Sequence, residues 1–162
     1  MAIQRTAPLP ITLGTALQSL GSTNAAQSSE VPSTTSNNIT DIVANWTLSM
    51  GSVTASASTR VDVYCWGTND DSGWPGPSST NELITGTAGT IVLSANGTSA
   101  IRFLKSTPLL ISTTAHTVRD EASIVSALGF VPRRWGLVFS NQTGGSLGAS
   151  GHLGEYVETY YN

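Results

Sequence analysis

From Ile39 to Met50 apolar and polar residues alternate, placing Ile42, Ala44, Trp46, Leu48 and Met50 on one side of the chain. A period of two over this length predicts a half-buried β-strand. Arg60 to Trp66 repeats the pattern: Val61, Val63 and Cys65 face one way, and Asp62, Tyr64 and Trp66 the other. The residues between them, Gly51 to Thr59, are small and read as a connection. Gly67 to Pro77 is rich in turn formers and predicts a long loop. Further strands are expected over Gly89 to Ser94, Ser99 to Leu104 and Leu109 to Thr113, with Asn96-Gly97 marking a tight turn. A single helical signal lies between Val118 and Leu128. Asp120 and Glu121 stand in its first turn, Ile124, Val125 and Leu128 share a face, and Gly129 closes it. Trp135, Leu137 and Phe139 then alternate within Arg134 to Ser140, a turn follows over Asn141 to Gly145, and Leu147 to Tyr160 returns. Short strands at turn-punctuated spacing predict an all-β fold, an antiparallel β-sandwich of jelly-roll-like order with one short helix.

The first 37 residues break this pattern. Gly21 to Ser29 offers almost nothing to bury and reads as linker. Leu13, Leu17 and Leu20 follow a helical spacing, while Ile11 and Leu13 fit a strand equally well. The expected organisation is a flexible N-terminal arm over 1–37 and a β-sandwich domain over 38–162. The arm's apolar anchors would be Ile3, Leu9, Ile11, Leu13, Leu17 and Leu20. An N-terminal strand folding back onto its own domain is the competing reading.

Composition narrows the functional classes. The 162 residues include 22 Ser and 22 Thr, only 10% are charged, and the net charge is -3. Seven scattered basic residues leave no electrostatic footprint for nucleic acid. Cys65 is the one cysteine, so no internal disulfide is available, and within its apolar run it reads as a small buried hydrophobe. No stretch approaches the roughly 20 apolar residues of a membrane span. The start has no continuous apolar segment of a secretory signal, so synthesis in a cytoplasm is expected.

Few residues invite chemistry. Gly144-Gly145-Ser146-Leu147-Gly148 matches the nucleophile-elbow pattern. That elbow needs a helix after the serine and an acid before the histidine, whereas here His152 precedes Glu155 and Glu158. Hairpin and bulge chemistry explains these glycines better. His116 and His152 lack the spacing of metal ligands, and Asn69 to Gly73 lacks the donor pattern of an EF-hand loop. Asp120-Glu121 reads as a helix start, and Glu155 and Glu158 as strand residues. Trp66 and Trp74 could form a small sugar platform, although packing is the commoner fate of such rings. Asn38, Asn45, Asn96 and Asn141 begin acceptor patterns for glycosylation, but without a secretory signal no glycan is implied. No catalytic residue, metal ligand or cofactor is assigned.

Several segments resemble small structural proteins of tailed bacteriophages. They are Asn45-Trp46-Thr47-Leu48, Val61-Asp62-Val63-Tyr64, Gly67-Thr68-Asn69-Asp70, Val131 to Phe139, and Asn141-Gln142-Thr143-Gly144-Gly145. Some members of that group are capsid decoration, or cement, proteins with a jelly-roll core. The pattern spans about residues 39 to 162. The stretch from Thr107 to Gly129 and the long N-terminal segment depart from it. The resemblance implies a non-enzymatic virion protein on the capsid surface, bound to the major capsid protein as a homo-oligomer, a trimer before a dimer. Ile3, Leu9, Ile11, Leu13, Leu17, Leu20 and Trp74 are the expected capsid or oligomer contacts. The alternatives are another virion accessory, such as a head-fibre, tail or baseplate component, and a carbohydrate-binding module using Trp66 and Trp74.

Overall fold

The computed structural model describes residues 2–33, 38–51, 59–70, 84–93, 100–108 and 114–162. In chain order the strands are β1 (Ile3–Arg5), β2 (Leu9–Pro10), β3 (Ala25–Gln27), β4 (Val31–Pro32), β5 (Ile39–Met50), β6 (Arg60–Thr68), β7 (Gly89–Ile91), β8 (Arg102–Pro108) and β9 (His116–Ser123). A short helix α1 (Ile124–Leu128) precedes β10 (Arg134–Asn141) and β11 (Leu153–Tyr161). The expected strand over 109–113 and the Asn96-Gly97 turn lie outside the described residues.

Strand pairing is nested. β1 and β2 pair with β11, β3 and β4 with β10, β5 with β9, and β6 with β8, all antiparallel. The chain therefore forms one long ribbon whose first strands lie against its last. Rolling that ribbon brings β11 against β5 and β10 against β6. The result is two packed sheets, β1-β11-β5-β9 with β2 also on β11, and β7-β3-β10-β6-β8 with β4 also on β10. This is the nested order of a jelly roll, expected from the turn-punctuated strand pattern.

The same pairing corrects the picture of a separate flexible arm. Residues 2–33 supply four strands, and β3 lies inside a sheet between β7 and β10. Ile11, Leu13, Leu17 and Leu20 are buried in the sandwich core, so they anchor the chain to its own domain. The stretch read as linker contains Ala25, Ala26, Gln27 and Ser28, all buried. Small side chains suit it to the crowded layer over β10: Ser28 Oγ accepts from Leu137 N at 2.9 Å, and Ser28 N donates to Leu137 O at 2.9 Å. Asn141 clasps the preceding loop. Its Nδ2 donates to Leu20 O at 2.7 Å and to Gly145 O at 2.8 Å, and its main-chain O accepts from Thr23 N.

Between the sheets, the inward positions expected from alternation meet. Trp46, Leu48 and Met50 from β5 and Val61, Val63 and Cys65 from β6 are all buried, as are Trp135, Leu137 and Phe139 from β10. Trp46 meets Phe139 edge to face at 6.4 Å, and Trp135 meets Tyr156 at 5.3 Å, geometries that aromatic quadrupoles favour. Burial pushes the Cys65 thiol up to about 12, with the Arg102 charge offsetting part of the rise. Such a thiol behaves as a packed hydrophobe.

The helix takes up only the second part of the segment that carries the helical signal. Asp120 and Glu121 lie in β9, opposite Trp46 and Asn45 of β5. Asp120 interrupts an apolar alternation because it serves the seam between the sheets. It pairs with Lys105 Nζ at 2.5 Å and accepts from Thr107 Oγ1 at 3.2 Å. Thr107 in turn accepts from Trp46 Nε1 at 3.0 Å, which satisfies the buried indole. The helix begins only at Ser123, whose hydroxyl caps Ser126 N at 3.0 Å and donates to Asp41 at 2.6 Å. Gly129, with φ of 80°, closes it in the left-handed conformation expected of a C-cap glycine.

Candidate functional site

Each sheet turns its second face outward, and the two faces differ. On the six-stranded sheet, Trp66 and Val138 point away from the main core. They are nonetheless fully buried, in a second apolar cluster with Ile84 and Ile101. Tyr64, Ile91 and Leu93 pack around it. Gly136 on β10 creates the space for the indole: a Cβ there would lie 2.7 Å from Trp66 Nε1. The covering segment is fastened to β3, because Gln27 Nε2 donates to Thr85 Oγ1 at 2.8 Å and Glu30 N to Gly86 O at 2.8 Å. Among the described residues, Phe103 and Val92 remain outside this cover. Phe103, 57% exposed, leans edge to face on Tyr64 at 5.6 Å, and Val92 is 61% exposed between two residues that pack into the cluster.

The five-stranded sheet has no such cover among the described residues. Alternate residues of β5, β9 and β11 point outward and form cross-strand rows. One row is Leu153, Thr47 and Arg119, the next Glu155, Asn45 and Glu121, the next Val157, Val43 and Ser123. Strand spacing puts row neighbours about 4.8 Å apart across the sheet. The first two rows, with Pro8 at the edge, line an open groove of about 610 Å³. Further along the edge, Ile3 stands beside Tyr161 and Arg5 beside Thr159. Ile3 and Leu153 are strongly exposed, and Tyr161 partly so.

The residues expected to carry function scatter accordingly. Of the contacts assigned to an arm, Ile3 is at the surface and Leu9 packs partly against the core. Ile11, Leu13, Leu17 and Leu20 are enclosed and have no surface to offer a partner. Trp74 lies outside the described residues. Trp66 is enclosed, which removes it from a sugar platform. Ser146 is followed by a bridge between Leu147 and Met50 and then by β11, not by the helix an elbow requires. His152 holds this connection to β5. Its Nδ1 accepts from Ser49 N at 3.3 Å, and Nε2 lies 2.9 Å from Gly148 O, an arrangement that suits the tautomer protonated at Nε2. Among the described residues no three His, Cys, Asp or Glu side chains converge as metal ligands. The acceptor pattern at Asn141 is buried inside its clasp.

Sequence reasoning missed Phe103 and Val92 as exposed residues, and Leu153, Tyr161 and the half-buried Val157 on the outward side of β11. For the last three the signal was present: outward positions of β11 read Leu, Glu, Val, Thr, Tyr, which is unusually apolar for the solvated side of a strand. No family model, curated protein or solved structure matches this chain.

Proposed function

We propose that this chain is a non-enzymatic structural protein of a virion, a decoration protein that binds the major capsid protein on the capsid surface as a small oligomer. The observation that carries the reading is the presence of exposed apolar residues on both outer faces of one sandwich, Phe103 and Val92 on one side, Ile3, Leu153 and Tyr161 on the other. Large apolar side chains left outside a filled core mark contact surfaces when they recur on one face. Two such faces on opposite sides let one molecule bind in two directions, and bridging several subunits raises avidity without a deep pocket. The jelly-roll order, common among viral capsid domains, and the resemblance of residues 39 to 162 to phage structural proteins point the same way.

The test uses purified protein and expanded phage heads that lack a decoration layer. Saturable binding at a fixed ratio to the major capsid protein is the expected result. Phe103→Asp should abolish it while costing no more than about 1 kcal/mol of stability, the worth of its edge-to-face contact with Tyr64. Absence of saturable binding by the wild-type chain would overturn the reading.

A further inference from the structure

We propose that the outer face of the five-stranded sheet receives a second copy of this chain, packed face to face about a two-fold axis that runs along the row of Val157 and Val43. This deepens the reading above and rests on it only for the use to which the pair is put.

The case comes from the register. Val157 is the middle of the five outward positions of β11, and it lies opposite Val43 on β5. Moving along β11 at about 3.3 Å per residue, Glu155 and Thr159 lie about 7 Å to either side, and Leu153 and Tyr161 about 13 Å. A two-fold axis along the valine row places each outward residue over its mirror position on the partner. Valines then meet valines, and Leu153 meets the other copy's Tyr161, with Ile3 beside it in register. Glu155 meets Thr159, which is flanked by Arg5 on β1 and by Asp41 on β5, the Asp41 carboxylate being already engaged by Ile42 N and Ser123 Oγ. One strand spacing is within reach of an arginine side chain, so each Glu155 carboxylate faces an Arg5 guanidinium of the other copy.

Apolar therefore meets apolar at the centre and at both ends, and between them Arg5, the row's one cation, faces Glu155 while the Asp41 carboxylate is held by Ser123 and Ile42. Neither Arg5 nor Glu155 has an ion-pair partner among the described residues. A face that complements its own two-fold image is the requirement for an isologous interface. Two sheets can stack this way with strands nearly aligned, about 10 Å apart and crossing at about 30°. No other pairing axis is needed, and the geometry predicts a dimer where the family resemblance favours a trimer.

Sedimentation equilibrium on the purified full chain, from low to high micromolar concentration and with no heads present, tests this. The wild type should fit a monomer–dimer equilibrium. Val157→Arg should shift that equilibrium to monomer, and Leu153→Arg, at a position 61% exposed, should do the same if Val157→Arg perturbs the melt. Arg5→Glu alone and Glu155→Arg alone should each weaken association about tenfold or more, because each creates two like-charge contacts per dimer. Combining them should restore affinity to within about threefold of wild type, since the double exchange recreates both opposite-charge contacts. A wild type that stays monomeric, or that fits a trimer, would overturn the proposal. So would a double exchange no tighter than the weaker single one. Head binding is scored separately, so a chain that dimerises and ignores heads sinks the virion reading while leaving this one intact.

Discussion

The two sheets of this sandwich solve the problem of their outer faces in opposite ways. The six-stranded sheet buries Trp66 and Val138 under its own chain, using Ile84 and Ile101 as a lid fastened to β3 through Gln27. The five-stranded sheet leaves Leu153, Val157, Val43 and Tyr161 without a cover among the described residues, interleaved with the unpaired charges of Arg5 and Glu155. Both faces carry apolar residues on alternating strands, so local pattern does not separate them. What separates them is whether another part of the chain is long enough and apolar enough to return. Where it returns, apolar residues contribute to folding. Where none of the described residues returns, they are available to a partner, and the interleaved charges limit which partner fits.

The largest effect that would break this comparison comes from removing residues 1–33. If they were an appendage, the domain should melt almost as before. Because they supply β1 to β4, including the strand that carries the lid, the truncated chain should show no cooperative thermal transition by circular dichroism. Next in size is Trp66→Ala, which empties a space the size of an indole and should cost about 3–5 kcal/mol in denaturant unfolding. Val157→Thr, on the open face, should change stability by less than about 0.5 kcal/mol. Comparable losses at the two positions would erase the distinction between the faces.

An effect confined to alkaline pH concerns the core common to both sheets. Cys65 is neutral in the folded protein, with its thiol pushed up to about 12 by burial. In the unfolded chain the thiol ionises in its ordinary range, near 9. The unfolded state therefore releases a proton first as pH rises, and stability should fall between about pH 9 and 12. Each unit of pH in that window is worth up to about 1.4 kcal/mol. Cys65→Val should flatten that portion of the pH–stability curve. An equally steep curve in the variant would assign the loss to other groups.

Much of the fold was legible because β5, β6 and β10 alternate cleanly and carry large apolar residues on the inward side. Three features were not. β3 is built from Ala25, Ala26 and Gln27, whose small or polar side chains suit a tight inner position but give no hydrophobic signal. Asp120 faces inward to join Lys105 and Thr107, so β9 lost its alternation and its acidic residues imitated a helix start. Leu13, Leu17 and Leu20 looked like anchors for a partner, since only the nested pairing shows that their own domain claims them. The open face was half legible. The outward residues of β11 can be read by counting in twos, whereas the absence of a covering segment among the described residues is a tertiary fact.

Hydroxyl-radical footprinting over a range of protein concentrations, read by mass spectrometry at Leu153, Tyr161 and Phe103, tests the distinction most directly. All three are exposed in the single chain and react readily. As concentration rises through the association range, Leu153 and Tyr161 should lose reactivity together while Phe103 keeps its own. If the three residues change in parallel, or if none changes while the protein demonstrably associates, the five-stranded face is not the surface on which copies of this chain meet.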